Sequence, residues 1–369
     1  MPKLDEFEND KLQRVLNVFP VLDAGGTEDV ILKSSEYLIK DKNIDVAMFA
    51  DCSDGRRKQD FIDLGIKLYD NPKARNKKNI LENVNSLRNA IKDFNPDIVH
   101  THALYSLGIA YLAKLTFRSK FKIVHTGHGG PKSNYDNLSK YFTYMADSYI
   151  TLSKESYEKI SNKSKKGNVK LIYNGTNLPD ISEVFHPNTE LSEGKIILGF
   201  IGRLTRQKGL PTLVDALNII NQRGIDFECH LIGDGEDRVA LETSVAEYDL
   251  TGNVIFHGYS STPWKLLRRI PIVVIPSLWE QGALVAIEAI IRNHTVISTN
   301  INGLNDVVIE LETGYLFERM DSEKLAKILE ELSLGHRSFI NIDKDKRDEF
   351  LFPERTGGHI YNLYKSLLQ

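Results

Sequence analysis

At 369 residues, with 41% hydrophobic and 26% charged residues and no low-complexity block, the chain can form two domains that each bury a core. No apolar run reaches the ~20 residues that span a bilayer, and the charged start from Met1 to Lys11 lacks a signal peptide's apolar stretch, so a cytoplasmic protein is expected. The net charge of −3 conceals a basic region: residues 54–170 carry 22 Lys+Arg against 11 Asp+Glu.

In chain order, short apolar strands alternate with amphipathic helices, the pattern of parallel α/β sheets. Arg14–Phe19 reads as a strand, Ala24-Gly25-Gly26-Thr27 as a tight turn, and Asp29–Ile39 as a helix. Asp45–Phe49 is a second strand. The helix Ile80–Phe94 aligns Leu81, Val84, Leu87 and Ile91, and ends at Asn95-Pro96 before a strand from Asp97 to His100. Lys122–His125, Ser148–Leu152 and Val169–Tyr173 follow as strands, the last running into an Asn174-Gly175 turn. Ser182–Ser192, with His186-Pro187 and several acidic and small residues, is the interdomain linker candidate. Beyond it come a strand Lys195–Ile201, a helix from about Leu210 with Pro211 in its first turn, and strands Phe227–Ile232, Val254–His257, Ile272–Ile275 and Thr295–Ser298. The expected domains are residues 1–187, onto which a helix within 353–369 packs back, and 188–352.

The basic clusters Lys73, Arg75, Lys77, Lys78 and Lys163, Lys165, Lys166 fit a solvated face, or attraction to an anionic surface at the inner side of the plasma membrane. They are not interleaved with aromatics and no binding motif accompanies them, so nucleic acid is not an expected partner. Cys52 and Cys229 stand far apart and read as free thiols of a reducing compartment.

Ligands of such sheets bind beyond the carboxyl ends of the strands. After Ile272–Ile275 comes Pro276-Ser277-Leu278-Trp279-Glu280-Gln281-Gly282-Ala283-Leu284-Val285-Ala286-Ile287-Glu288. A helix beginning past Gly282 offers its N–H groups and positive dipole end to a diphosphate or to sugar oxygens. Glu288, about two turns on, can accept the two hydroxyls of a ribose. Two glutamates at this spacing are also ordinary on an exposed helix. Gly199-Phe200-Ile201-Gly202-Arg203-Leu204-Thr205-Arg206-Gln207-Lys208-Gly209 puts two cations after a strand: Arg203 can fork onto a diphosphate and Lys208 can act as a point charge. Alone, either would be read as a solvated surface cation. His230-Leu231-Ile232-Gly233-Asp234-Gly235 ends a strand in a glycine turn open to a nucleotide; the spacing of Asp234, Glu236 and Asp237 fits no calcium loop. His100, His102, His125 and His128 crowd into one short region, which favours a site over isolated structural histidines.

The series GFIGRLTRQKG, LIGDGE and PSLWEQGALVAIEA resembles the donor half of glycosyltransferase family 4, retaining enzymes of the GT-B fold, and the similarity continues through Asn302-Gly303-Leu304-Asn305-Asp306-Val307 and Thr313-Gly314-Tyr315-Leu316. Gly25-Gly26-Thr27-Glu28 is similar to the family's glycine-rich loop, Thr126-Gly127-His128 to the segment with its active-site histidine, and Pro353–Gln369 to its closing helices. The resemblance implies an α/β protein of two Rossmann-like domains with parallel sheets facing a central cleft. It implies that Arg203 and Lys208 bind the donor diphosphate, Glu288 the ribose and Glu280 hydroxyls of the transferred sugar. His128 would orient the donor sugar or the acceptor. Gly25, Gly26, Thr27, Gly202, Gly233, Asp234, Gly235 and the backbone of Gly282, Ala283 and Leu284 would complete the substrate contacts. Where the family commonly has Gly-Phe-Gly after the first glutamate this chain has Gln281-Gly282-Ala283, and Asp306 stands where glutamate is frequent.

The expected activity is hexosyl or N-acetylhexosaminyl transfer from a UDP- or GDP-sugar to a glycan or lipid-linked acceptor of lipopolysaccharide, capsule or other surface polysaccharide. It would proceed by front-face substitution with retention, without metal or other cofactor. A nucleotide-sugar 2-epimerase of similar architecture and a non-catalytic nucleotide-sugar-binding protein are the alternatives.

Overall fold

The computed structural model describes residues 12–23, 25–52, 55–71, 80–116, 120–128, 135–164, 166–185, 195–280 and 282–369. The chain divides into two compact units, Met1–Asn174 with Phe352–Gln369, and Gly175–Leu351.

The first unit holds a parallel sheet of seven strands, β1 (Arg14–Val21), β2 (Asp45–Cys52), β3 (Lys67–Asp70), β4 (Ile98–Thr101), β5 (Lys122–Gly127), β6 (Ser148–Thr151) and β7 (Val169–Leu171), in the order β3-β2-β1-β4-β5-β6-β7. Helices α1 (Gly26–Lys42), α2 (Lys58–Asp63), α3 (Ile80–Phe94), α4 (Leu104–Thr116), α5 (Tyr135–Phe142) and α6 (Lys154–Ser161) lie between the strands in sequence. Consecutive strand residues point to opposite faces. Leu16, Val18, Phe49 and Val99 therefore pack with Leu87, Ile91 and Leu107 on one side, while Val15, Val46, Ile98, Val124 and Ile150 pack with Leu38 on the other. That second face is completed by Ile360 and Tyr364 from the last helix of the chain. Burial on both faces explains why the strands read as apolar runs rather than alternations.

The second unit holds six parallel strands, β8 (Ile196–Ile201), β9 (Phe227–Ile232), β10 (Val254–Gly258), β11 (Ile272–Ile275), β12 (Thr295–Thr299) and β13 (Gly314–Phe317), in the order β10-β9-β8-β11-β12-β13. Its helices are α7 (Leu210–Gln222), α8 (Arg238–Glu247), α9 (Pro263–Leu267), α10 (Leu284–Ile291), α11 (Ser322–Ser333) and α12 (Lys344–Asp348). One core joins Leu198, Phe200 and Val274 to Leu213, Leu217 and Leu329; the other joins Val273, Ile275 and Val296 to Ile287 and Ile290. After a π-helical turn at Pro353–Gly357, α13 (Gly358–Leu368) returns to the first unit.

Three expectations are corrected. The helix after the glycine turn is longer than Asp29–Ile39, because it starts at Gly26 itself and closes at Asn43 in the left-handed region (φ 55°). The seventh strand stops at Leu171, and in place of an Asn174-Gly175 turn the extended chain leaves the first unit, Thr176 pairing with Leu351. The expected changeover at residue 187 falls outside the described residues. Residues 175–185 belong with the second unit, since Glu183 pairs with Arg292 at 2.7 Å and the Phe185 N–H donates to the Arg292 carbonyl at 2.8 Å. Most of the linker candidate, and Lys73, Arg75, Lys77, Lys78 and Lys165, also lie outside the described residues. Among the described residues no helix is long and apolar enough to cross a membrane.

Candidate active site

In each sheet the strand order reverses direction next to the unit's first strand, between β1 and β4 and between β8 and β11. Loops leaving neighbouring strands at such a point diverge to opposite faces and open a crevice. Gly25–Thr27 follow β1, and Gly202, Arg203, Lys208 and Glu280 follow β8 and β11; His128 and Gly233–Gly235 follow the neighbouring strands β5 and β9.

In the second unit the loop after β8 and the loop after β11 are stitched together. The Leu278 N–H donates to the Gln207 carbonyl at 2.8 Å, and Gln207 Nε2 donates to the Trp279 carbonyl at 3.1 Å. Gly209 takes φ 60° with its α-carbon so near this loop that a Cβ would sit 2.0 Å from the Pro276 carbonyl oxygen. The stitching brings Lys208 Nζ onto Glu280 Oε1 as a part-buried ion pair. Ser277 Oγ donates to the same oxygen at 3.1 Å. Both bonds converge on Oε1, and among the described residues none reaches Oε2. The carboxylate is thus oriented with one oxygen to spare, and the ammonium, with three donors, keeps two. Arg203, on the same loop, is exposed, and among the described residues no ion pair or hydrogen bond engages its side chain.

The glycines beside it answer to the protein itself. A Cβ on Gly233 (φ 139°) would meet the Gly202 carbonyl oxygen at 1.8 Å, and one on Gly235 would meet the Leu204 oxygen at 2.3 Å. This contact is what lets the Leu204 N–H donate to the Asp234 carbonyl and the Asp237 N–H to the Leu204 carbonyl, both at 2.9 Å. Asp234 is exposed and turns Oδ1 onto the Gly235 N–H at 2.8 Å. The LIGDG turn therefore shapes the Gly202–Lys208 loop, in addition to any approach it allows a ligand.

Gln281 lies outside the described residues. Ala283 occupies the left-handed region (φ 45°, ψ 28°) at the N-cap of α10, where no side chain caps the helix. A non-glycine there costs about 1–2 kcal/mol, and the uncapped first turn leaves backbone donors for an anion or a hydroxyl. Leu284 is the first helical residue. Glu288 is half-buried, and its Oε2 accepts from Trp264 Nε1 at 3.3 Å. The Arg292 guanidinium lies over the Trp264 ring at 4.7 Å and pairs with Glu183. This support behind Glu288 is not foreshadowed by its spacing from Glu280.

In the first unit, Gly25 is the extended N-cap of α1, Gly26 and Thr27 begin the helix, and no side chain caps it; Ala24 lies outside the described residues. Glu28 is buried beside this turn, where a Cβ on Gly25 would be 2.7 Å from its Oε2. The four histidines form one cluster. His100, on β4, places Nδ1 2.6 Å from the Tyr364 hydroxyl and Nε2 2.7 Å from Thr126 Oγ1. Its ring lies 4.1 Å from that of His102 at a 37° tilt, and His102 Nδ1 is 3.1 Å from Nε2 of His128, the residue following β5. His125 points Nδ1 at Thr101 Oγ1 (2.8 Å) and its ring at Tyr149. Loss of hydration holds all four conjugate acids down. His125 falls to about 3 and the part-buried His128 to about 4, while His100 and His102 lie well below the ordinary range, their histidine neighbours adding to the effect of burial. At neutral pH the cluster is uncharged. Sequence reasoning missed Asn17, 3.1 Å from His102 Nε2, although a lone amide inside the apolar strand RVLNVFPV was a visible signal.

Residues 24–179 match Glycosyltransferase Family 4, and residues 182–345 match Glycosyl transferases group 1. An uncharacterized glycosyltransferase of Methanocaldococcus jannaschii is 28% identical over 258 residues, covering 66% of this chain and 67% of its own length. The capsular polysaccharide biosynthesis glycosyltransferase CapM of Staphylococcus aureus is 26% identical over 250 residues, 62% of this chain and 64% of CapM. The Anabaena HepE structure in complex with UDP and glucose superposes with a TM-score of 0.79 at 17% identity, covering 96% of this chain and 100% of that one. Two Rossmann-like units carrying these matches define a glycosyltransferase of the GT-B fold. The chain belongs to glycosyltransferase family 4.

Proposed function

We propose that the protein is a retaining glycosyltransferase that moves a hexosyl or N-acetylhexosaminyl group from a UDP- or GDP-sugar to a glycan or lipid-linked acceptor of a surface polysaccharide, capsule or lipopolysaccharide. The observation that carries this reading is the Lys208–Glu280 pair at the strand-order reversal of the second unit, with Arg203 on the same loop. Lys208 and Arg203 take the donor diphosphate, and Glu280 offers Oε2 to hydroxyls of the transferred sugar. The uncapped start of α10 at Ala283 and Leu284 adds backbone donors, and Glu288 binds the ribose. From the first unit, Gly25, Gly26 and Thr27 contribute backbone room, and His128 a neutral ring for a sugar hydroxyl. The acceptor hydroxyl attacks the anomeric carbon on the face from which the diphosphate leaves, and the departing phosphate oxygen takes its proton. Catalysis then rests on position and on charge stabilisation at the leaving group by the two cations, without a metal or other cofactor. The CapM relative supports the surface-polysaccharide part, and the UDP and glucose held by HepE support the donor class.

The test is nucleotide release across UDP-, GDP- and ADP-sugars, followed by NMR of the product's anomeric configuration. Release with retention supports the reading; inversion overturns the front-face step, and conversion of the donor alone would indicate an epimerase. Complete loss of activity with EDTA would refute the metal-free mechanism.

We also propose peripheral attachment of the first unit to an anionic membrane. On α4 and around the end of α5, Leu112, Leu115, Tyr141 and Tyr144 are exposed, with Lys140 over the Tyr141 ring at 4.7 Å. Flotation with phosphatidylglycerol vesicles should succeed at low salt and fail at high salt; no flotation at either overturns it.

A further inference from the structure

The hydrogen bonds behind His128 have a direction, and a backbone carbonyl sets it. Ser35, on α1, lies with Oγ 2.8 Å from the Ile31 carbonyl oxygen, which can only accept. The hydroxyl's single proton is therefore spent there. The Asn17 atom 3.3 Å from Ser35 Oγ must then be the donor, the amide Nδ2, which turns Oδ1 toward His102. An amide oxygen cannot donate, so the proton between Asn17 Oδ1 and His102 Nε2 (3.1 Å) belongs to the imidazole. His102 is buried and neutral, so its Nδ1 is bare, and the 3.1 Å contact beyond it requires His128 Nε2 to carry hydrogen. A neutral His128 then has a bare Nδ1. Among the described residues no group engages that atom.

We propose that Ser35, Asn17 and His102 act as positioning residues that fix His128 in its Nε2–H tautomer, so that Nδ1 presents a lone pair to a substrate hydroxyl. The chain makes the site selective by hydrogen-bond polarity. A sugar with a hydroxyl at that position donates to Nδ1, whereas a deoxy or carbonyl-bearing analogue leaves the lone pair unmatched. The use of the lone pair rests on His128 contacting a sugar; the tautomer does not.

The tautomer is read directly by long-range ¹H–¹⁵N correlation on histidine-labelled protein without donor, with His128 assigned from the signal lost in His128→Gln. The expected wild-type spectrum has His102 and His128 both as Nε2–H. An Nδ1–H signal for His128 overturns the proposal with no variant needed. Ser35→Ala removes the hydroxyl that orients the Asn17 amide and should give His128 mixed tautomers with about a fivefold loss in kcat/KM, the worth of one neutral hydrogen bond. Ser35→Thr restores the hydroxyl and should restore both readouts. An unchanged tautomer in Ser35→Ala refutes the relay. If instead no nucleotide-sugar is turned over while the Nε2–H signal is found, the functional reading fails and the wiring stands.

Discussion

The two units share an architecture and place their candidate residues at or beyond the ends of parallel strands, yet they treat charge in opposite ways. The first unit gathers four imidazoles and strips them of charge; His100, His102 and His125 are fully buried, and neutral groups hold the cluster together. The second unit keeps a cation and a carboxylate in contact at a part-buried loop, with Arg203 exposed nearby. Burial explains the difference. A group deep at the strand ends avoids the cost of desolvating an ion by becoming neutral, while a loop near water can hold ions if they are paired. A neutral cluster can exchange hydrogen bonds with hydroxyls, whereas the loop's cations can meet an anion and its carboxylate a hydroxyl.

The largest expected effect breaks the charged half. Lys208→Ala and Glu280→Ala should each reduce transfer by roughly 10²–10³-fold, the range seen when a preorganised charge-stabilising group is removed. Circular dichroism should stay native. Because the two side chains share one contact, the double variant should lose much less than the product of the single losses. Strict multiplicativity would show that they act separately.

Acid should separate the units. The four histidines of the first unit have folded-state affinities for protons below the ordinary value of 6.5, as do His294 (about 4) and the exposed His257 in the second. The unfolded chain takes up protons near pH 6.5 while the native cluster does not. Stability is therefore full above that pH, falls as pH drops, and levels off group by group as the native histidines protonate, His128 and His294 near 4 and His125 near 3. Each buried histidine contributes at most about 1.4 kcal/mol per pH unit in that window, so three fully buried rings against one put the first unit on the order of 2–3 kcal/mol per unit more sensitive. Trp264 and Trp279, the chain's two tryptophans, both lie in the second unit. In urea at pH 5, far-UV dichroism should lose amplitude before tryptophan fluorescence shifts. Coincident transitions at pH 5 would contradict the contrast.

A smaller effect tests the glycine loop. Gly233→Ala places a methyl group against the Gly202 carbonyl and should destabilise the second unit by roughly 2–4 kcal/mol, read by the fluorescence transition alone. The smallest effect is at Ala283, where glycine relieves the left-handed backbone. Ala283→Gly should raise the second unit's stability by about 1 kcal/mol or less, since greater unfolded-chain freedom offsets part of the relief. A loss would show that the methyl group packs usefully.

The sequence made much of this readable where local pattern and fold agree. Ile80–Phe94, Phe227–Ile232 and Ile272–Ile275 run within their expected bounds because apolar spacing, Asn95-Pro96 and glycine turns mark them. The strand Lys67–Asp70 escaped notice because it is a four-residue edge with exposed ends, and Gly314–Phe317 because its existence depends on pairing with Thr295–Thr299. Helix Leu104–Thr116 is apolar on nearly every side and shows little helical stripe. At the sites, Arg203, Lys208, Glu280 and Glu288 stood out as motif residues. The wiring behind His128 did not, because Ser35, Asn17 and His102 come from three separate elements and only the folded sheet brings them together.

The last helix has a consequence for synthesis. Ile360 and Tyr364 cover one face of the first unit's sheet, and Tyr364 also reaches His100, so this unit's core is incomplete until α13 is made. All of the second unit is translated before that helix. At ~5–20 residues per second the uncovered face waits roughly ten to thirty seconds. Domains usually mature on the ribosome in the order they are translated. Here the unit begun first is finished last, and until then the Val15, Ile98, Val124 and Ile150 face has Leu38 but not Ile360 and Tyr364 against it.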